Sequence, residues 1–374
     1  MGLIVKVWEV SNYNLWPISP CIPLLFWVTS YKIIYLYMKT IWRLVILFFL
    51  LSSCDHNGEV TIREVFHSDF SSKLVAVSFA SPSTGVLLTE DKDKLSFWRT
   101  EDAGKTWYDI FDWYGMKFWN PEKQTGLFCL GDVLIGMAVP NGGVPLGFLF
   151  DLETCSLTNW KAPEEMHCLS WCDEEKVYGY YNQEGCRYEV TVNDKGGMTT
   201  RQINDNIVWT QIESSGRATF GIRLGTDSLF YHKDDISLTL EIPSPERIAA
   251  IDDNTVVVSS CRDDKLTLYY GSVAASSLKE CYSFKGYSFV SHLLANESCI
   301  VSEVSNPAGV WGGSSDYFYS LDNGKTWKKY EQGVQSGCCC LVETTLYYSN
   351  AVTNNLYKVS FEKCGNSIQK CNKL

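Results

Sequence analysis

The amino-acid sequence predicts an all-β protein, on three observations. From Val60 onward, short segments rich in β-branched and aromatic residues alternate with clusters of Asp, Asn, Gly and Ser, the punctuation of strands and turns. No stretch holds apolar residues at helical spacing for three clear turns. The aromatic content, 13 Trp, 21 Tyr and 18 Phe in 374 residues, is high for a helical chain.

Composition narrows the function classes. With 45% hydrophobic and 20% charged residues the chain buries a sizeable core and is not disordered. A net charge of −11 argues against a nucleic-acid partner, which needs a surplus of Lys and Arg on at least one face.

The first 53 residues differ in kind from the rest, holding one acidic residue (Glu9) and four basic ones (Lys6, Lys32, Lys39, Arg43) among dense apolar side chains. From Met38 the chain reads as a basic start with Lys39 and Arg43, an apolar run Leu44 to Leu51, then Ser52-Ser53-Cys54. A run this short does not span a bilayer, for which roughly 20 helical residues are needed; it is the core of a secretory signal. Residues 38–53 are therefore set aside as a signal peptide, residues 1–37 as upstream sequence outside the mature protein, and 54–60 as a tether to a domain over 61–374. The competing reading starts at Met1 and takes residues 22–51 as an uncleaved anchor interrupted by Lys32, Lys39 and Arg43.

Leu51-Ser52-Ser53-Cys54 resembles the lipobox of bacterial lipoproteins. That resemblance implies cleavage before Cys54, acylation of its sulfur, and a location in the cell envelope outside the cytoplasm, with the leaflet left open. Acyl chains contribute roughly 0.8 kcal/mol per buried methylene, so several of them hold a domain at a membrane surface.

Thirteen cysteines remain after Cys21 and Cys54, an odd number that cannot all pair within one chain. Several sit in apolar runs, where a thiol behaves as a small hydrophobe; buried thiols or a few bridges are expected rather than a metal site. Cys168 and Cys172 near His167 have zinc-like spacing but no second pair, and Cys338-Cys339-Cys340 would alternate faces on a strand. No metal or other cofactor is expected.

Two segments repeat each other. Thr100-Glu101-Asp102-Ala103-Gly104-Lys105-Thr106-Trp107 and Ser320-Leu321-Asp322-Asn323-Gly324-Lys325-Thr326-Trp327 share the pattern Ser/Thr-x-Asp-x-Gly-Lys-Thr-Trp, each after an aromatic-rich strand. The residue types describe a turn: Asp accepts backbone N–H bonds, Gly supplies a positive φ, Thr closes the loop, and Trp enters the next strand and packs. Phe150–Trp160 and Val192–Thr199 are weaker copies.

These segments resemble the Asp box, or BNR repeat, of sialidase-like β-propellers, and the context of the first also resembles the photosystem assembly-factor propellers. The resemblance implies a β-propeller in which Asp102, Gly104, Thr106, Trp107, Asp322, Gly324, Thr326 and Trp327 are structural. The spacing from Trp107 to Trp327, 220 residues, is five steps of 44. A chain starting at Cys54 leaves roughly 46 residues for each of seven four-stranded blades, or about 54 for each of six; seven is preferred.

A sialidase-like glycoside hydrolase needs three arginines gripping a carboxylate, a Tyr–Glu nucleophile pair and an Asp acid/base. The family's Phe/Tyr-Arg-Ile-Pro motif is missing, and Gly221-Ile222-Arg223-Leu224 is the nearest imitation. His56, His67, His167, His232 and His292 are scattered, and no nucleophile elbow, metalloprotease helix or phosphate loop is present. Asp252-Asp253 and Asp263-Asp264 read as solvated turn carboxylates. No catalytic residue is assigned. The reading is a non-catalytic propeller binding an envelope protein or glycan, with Trp113, Tyr114, Trp119 and Trp311 as candidate contact aromatics; the alternative is a divergent sialidase-like hydrolase.

Overall fold

A computed structural model describes residues 60–361, apart from 68–71, 120–125, 163–165, 173–175, 184–185, 204–208, 216–217, 224, 235, 274, 277, 307–313 and 332–335. Cys54 and Trp311 lie outside the described residues.

The described chain is β-strand and turn throughout, in seven antiparallel sheets. Blade 1 is β2 (Lys73–Phe79), β3 (Gly85–Asp91), β4 (Lys94–Thr100) and β5 (Tyr108–Tyr114). Blade 2 holds β6 (Met116–Phe118), β7 (Leu127–Leu130), β8 (Val133–Pro140), β9 (Leu146–Asp151) and β10 (Ser156–Trp160). Both β6 and β7 pair with β8, at successive positions, so they are one strand broken in two. Blade 3 is β11 (Met166–Cys172), β12 (Lys176–Gln183), β13 (Cys186–Asn193) and β14 (Met198–Ile203). Blade 4 is β15 (Trp209–Ser215), β16 (Ala218–Arg223), β17 (Ser228–Lys233) and β18 (Ile236–Glu241). Blade 5 is β19 (Pro245–Ala250), β20 (Thr255–Arg262), β21 (Lys265–Ser272) and β22 (Lys279–Phe284). Blade 6 is β23 (Phe289–Ala295), β24 (Ile300–Asn306), β25 (Ser314–Ser320) and β26 (Lys328–Glu331).

The last sheet closes the ring. It takes β27 (Ser336–Val342), β28 (Thr345–Asn350) and β29 (Leu356–Phe361) from the end of the described chain and β1 (Val60–Phe66) from its beginning, in the order β1-β29-β28-β27. β1 takes in Val60, one residue before the boundary read from the sequence. The first strands of successive blades touch in turn, β2 to β7, β11, β15, β19, β23, β27 and back to β2. The chain is a seven-bladed β-propeller, and these innermost strands ring its central channel.

Why the middle strands read as near-continuous apolar runs follows from this packing. Each blade is covered on both sides, so neither pleat face is solvent-facing. In β3, Val86 and Leu88 pack into the cluster shared with blade 2, while Leu87 between them packs towards blade 7. In β20, Val256 and Val258 face blade 4 and Val257 faces blade 6. Further clusters join blades 2 and 3 and blades 6 and 7.

The closing interface is rich in rings and long-range polar contacts. Phe79 of blade 1 stacks on Tyr347 of blade 7 at 4.0 Å, and Phe66 meets Trp98 edge-on at 5.2 Å. Asn355 Nδ2 donates to Glu64 Oε2 at 3.1 Å, tying β1 to the turn before β29.

A chain shortened to begin at Lys73 loses β1 and uncovers the edge of β29. It is expected to melt about 10 °C or more below a chain beginning at Val60, a loss of several kcal/mol, and to associate through the bare edge. Equal melting temperatures, measured by calorimetry, would show that closure by β1 contributes nothing.

Candidate functional site

Strand direction divides the turns between two faces. One face carries the links from blade to blade and the turns between second and third strands; the other carries the turns between first and second and between third and fourth strands. Val60 and Phe361 pair with each other at the second face, so the described chain enters and leaves the ring there.

Both Ser/Thr-x-Asp-x-Gly-Lys-Thr-Trp segments are turns between third and fourth strands, on that second face. In blade 1, Thr106 donates to Asp102 from its amide (2.9 Å) and from its hydroxyl (2.7 Å), and the Thr100 hydroxyl donates to Asp102 at 2.9 Å. Gly104 N donates to Thr100 Oγ1 at 2.9 Å, with Ala103 and Gly104 at φ +60° and +80°. In blade 6, the bonds from Thr326 to Asp322 measure 2.8 and 2.7 Å, and Ser320 donates to Asp322 at 2.8 Å. The two weaker copies occupy the same turn position in blades 2 and 3, where Asp151 caps Glu153 and Thr154 and Asn193 caps Lys195 and Gly197.

Each of the two turns fastens its blade to the preceding one. Trp107 lies edge-on to Phe66 and Phe79, both at 6.2 Å, and Tyr347 Oη and Lys358 Nζ of blade 7 each donate to Ala103 O at 3.1 Å. Trp327 packs on Tyr282 of blade 5 at 5.5 Å, its indole N–H donating to Gly324 O at 3.0 Å. The amide and hydroxyl of Thr106 hold Asp102 down at about 2, whereas for Asp322 burial pushes upward and the bonds from Thr326 and Ser320 outweigh it.

The candidate contact aromatics are not brought together. Trp113 is half-buried and meets Phe148 edge-on at 5.9 Å, part of the packing between blades 1 and 2. Trp119 packs against the cluster between blades 2 and 3, and its indole nitrogen is buried without a partner. Tyr114 is 72% exposed, at the link end of β5.

The innermost strands carry a feature the sequence did not announce. Near the link end of each of six blades their register slips, leaving Val75, His167, Thr210, Glu246 and Ser291 as extra residues and a slip between Ser336 and Cys339 in blade 7. In blade 2 the strand is broken between β6 and β7 instead. Bulges re-aim side chains and terminate pairing, and here they gather at one mouth of the channel.

Titratable groups concentrate on three adjacent innermost strands, β15, β19 and β23. Gln211 of β15 spans to blade 5: its Oε1 accepts from Ile248 N at 2.9 Å, and its Nε2 donates to Ile248 O at 3.0 Å and to Glu213 at 3.1 Å. Burial pushes the half-buried Glu213 up to about 7 against the pull of Gln211 and Arg247. Glu246, exposed by surface area, is raised by the walls that remove part of its water, again against Arg247. Among the described residues neither carboxylate has a cation within ion-pair distance.

On β23, His292 Nδ1 lies 2.6 Å from Oε2 of Glu303, whose side chain is 0% exposed; Ser336 N of blade 7 donates to the other oxygen at 2.9 Å. Glu303 thus orients the imidazole and satisfies the first amide of the next innermost strand. A buried carboxylate with both oxygens bonded is what such a position requires.

Eight cysteines have described side chains, and none of these eight is in a disulfide. Burial raises Cys129 and Cys338 to about 11 and Cys281 and Cys340 to about 12, which leaves them protonated and unreactive. No three of His, Cys, Asp and Glu among the described residues are grouped to hold a metal ion.

Solved structures with the same architecture include an oligogalacturonate lyase in complex with manganese, 12% identical with a TM-score of 0.58 over 83% of this chain and 95% of that one. An oligogalacturonate lyase from Vibrio parahaemolyticus is 11% identical with a TM-score of 0.57, over 82% and 99% of the two chains. Virginiamycin B lyase from Staphylococcus aureus is 9% identical with a TM-score of 0.54, over 81% and 100%. At such identities the likeness is one of fold. No protein-family model matches the chain, and no curated protein matches it.

Two titrations check the electrostatics. Asp102 has a folded-state value below its ordinary 3.8, so its stabilisation is full above that value and is lost as pH falls towards 2. Asp102→Asn is expected to lower the melting temperature at pH 7 and to shrink the difference from wild type as pH falls to about 2. For Glu213 the sign reverses: with a value raised from 4.5 to about 7, its contribution is present below 4.5 and lost as pH rises to 7. Glu213→Gln is expected to flatten that slope, and an unchanged slope would remove Glu213 as its source.

Proposed function

We propose that the chain is a cell-envelope lipoprotein, acylated at Cys54, whose propeller binds a protein or glycan partner without catalysing a reaction. The ring supplies a scaffold closed at both chain ends, and the bulged link ends of its innermost strands offer the irregular, polar-lined surface on which propellers place binding groups. The observation that carries this reading is the distribution of arginine. Among the described residues Arg247 is the only arginine on an innermost strand; Arg63, Arg99, Arg187, Arg201, Arg223 and Arg262 lie on other strands. A three-arginine grip on a sugar carboxylate, the requirement of the hydrolase reading, has one such group at the channel.

The test is a capture experiment with two arms, one on detergent-solubilised envelope and one on a glycan array, using the same purified protein. Specific retention in either arm, reduced by Glu246→Lys but not by Lys325→Glu on the opposite face, supports a binding platform. Turnover of a sialoside or another glycoside by the purified protein would replace that reading with the hydrolase. For the anchor, Cys54→Ala is expected to move the protein from the membrane to the soluble fraction, and mass spectrometry of the native N-terminal peptide is expected to show the acyl chains.

A further inference from the structure

The bulged start of β23 gathers several polar side chains and one ring on a single pleat face of blade 6. Directly paired residues share a face, and so do residues two apart on a strand. Phe289 pairs with Ser305 and His292 with Glu303, and Ser305 and Glu303 are two apart on β24, so all four lie on the face that Glu303 turns to blade 7. Ser291, the extra residue of the bulge, joins them through its hydroxyl, 2.7 Å from that of Ser305, which lies 2.8 Å from the hydroxyl of Ser315. Behind them the fully buried Tyr317 is bonded to the hydroxyl of Ser336 of blade 7. Exposure falls from the link end inward: Phe289 is 40% exposed, the His292 side chain 19% and the Glu303 side chain 0%.

The pair of His292 and Glu303 leaves one valence open. Both oxygens of Glu303 are taken, one by His292 Nδ1 and the other by Ser336 N. A carboxylate accepts, so Nδ1 carries the imidazole proton and Nε2 presents its lone pair. That nitrogen has no partner among the described residues and is not one of their buried polar atoms left without one, so it stands where solvent reaches it. A buried carboxylate thus fixes the tautomer of a histidine whose acceptor meets water on an innermost strand. We infer that this face is a subsite for a neutral saccharide: His292 Nε2 accepts from one sugar hydroxyl, Ser291 Oγ bonds a second, and the ring of Phe289 takes an apolar face of the sugar. The inference rests on the binding-platform reading and names the ligand's chemistry. An aromatic ring beside a few fixed polar groups suits a ligand that carries both C–H faces and hydroxyls. A hydroxyl both donates and accepts, which matches a lone pair next to a serine; a backbone amide N–H only donates. Charge selects the kind of sugar. The described innermost strands carry Lys73, Lys117 and Arg247 against Glu213 and Glu246, and Arg247 already acts on both carboxylates, so the channel holds no surplus of cations for an acidic sugar.

The test uses the purified full chain on an array of neutral, sialylated and uronic-acid oligosaccharides, beside capture from solubilised envelope. Retention of neutral oligosaccharides is expected. His292→Gln and Phe289→Ala are each expected to lower it about tenfold or more, and Lys325→Glu to leave it unchanged. Both altered side chains reach solvent, so the melting temperatures of these two variants are expected to stay within about 2 °C of wild type. A merely structural pair would behave the other way, with His292→Gln losing several degrees and still retaining the sugar. A second measurement needs no variant: with 15N-labelled histidine, one imidazole is expected to show the Nδ1-protonated form and to shift at Nε2 when a retained neutral oligosaccharide is added. Retention confined to acidic oligosaccharides, retention indifferent to His292→Gln, or an Nε2 resonance unmoved by the sugar would overturn the inference. A blank array alongside a protein captured from the envelope would overturn it and leave the platform reading intact. Nothing retained in either arm would overturn both.

Discussion

The ring holds because its two ends share one sheet. β1 pairs with β29 along six register positions, so blade 7 exists as a four-stranded sheet only when residues 60–66 and 356–361 have met. Sharing one sheet removes the edge that a linear array of sheets leaves at each end. Blade 1 then locks the junction from the side: Ala103, held at positive φ inside its turn, presents its carbonyl to both Tyr347 and Lys358 of blade 7. The turn's internal bonds therefore do more than shape a hairpin. They aim one backbone acceptor at a blade more than 240 residues away in sequence, and Trp107 fills the space between with a ring.

The same packing decides what could be read from the sequence. Middle strands such as β3, β8 and β20 are buried on both sides and show unbroken apolar runs, so they stand out as strands. Outer strands such as β10 and β14 do not: they are short, polar and largely exposed, and their residues satisfy no strand pattern strongly. β19, with Pro245 and Glu246 at its start, is hidden for another reason. Proline is tolerated there because the first residue of a strand beside a bulge need not donate to the ladder.

The Asp102 and Asp322 turns were legible because every bond that makes them spans four residues or fewer. The channel mouth was not, because its contacts are long-range. Gln211 finds Ile248 across 37 positions and Glu303 finds Ser336 across 33, and nothing near Gln211 or Glu303 in sequence marks them as spanning groups. The aromatic criterion failed in the opposite direction. Trp113 looks like a contact residue beside Tyr114, yet strand alternation sends the tryptophan into the interface with blade 2 and the tyrosine outward. A bulged residue such as Ser291 leaves no trace in composition, since a slip in register depends on the partner strand as much as on the residue itself.

Polar side chains at the innermost strands serve two demands that pull against each other. The innermost strands leave backbone groups without ladder partners on their channel side; Gln211 of β15 and Glu303 of the second strand β24 bond Ile248 of blade 5 and Ser336 of blade 7 and so tie neighbouring blades together. The same sector brings carboxylates and an imidazole into a half-dry space, where Glu213 loses part of its charge near neutral pH because burial outweighs the pull of Gln211 and Arg247. A purely structural stitch would gain from an arginine at that distance, or from an amide in place of Glu213, and would be indifferent to pH. The sector instead keeps Glu213 and Glu246 with Arg247 as the cation that acts on both, so burial raises the two carboxylates and ties the stability of this part of the ring to pH.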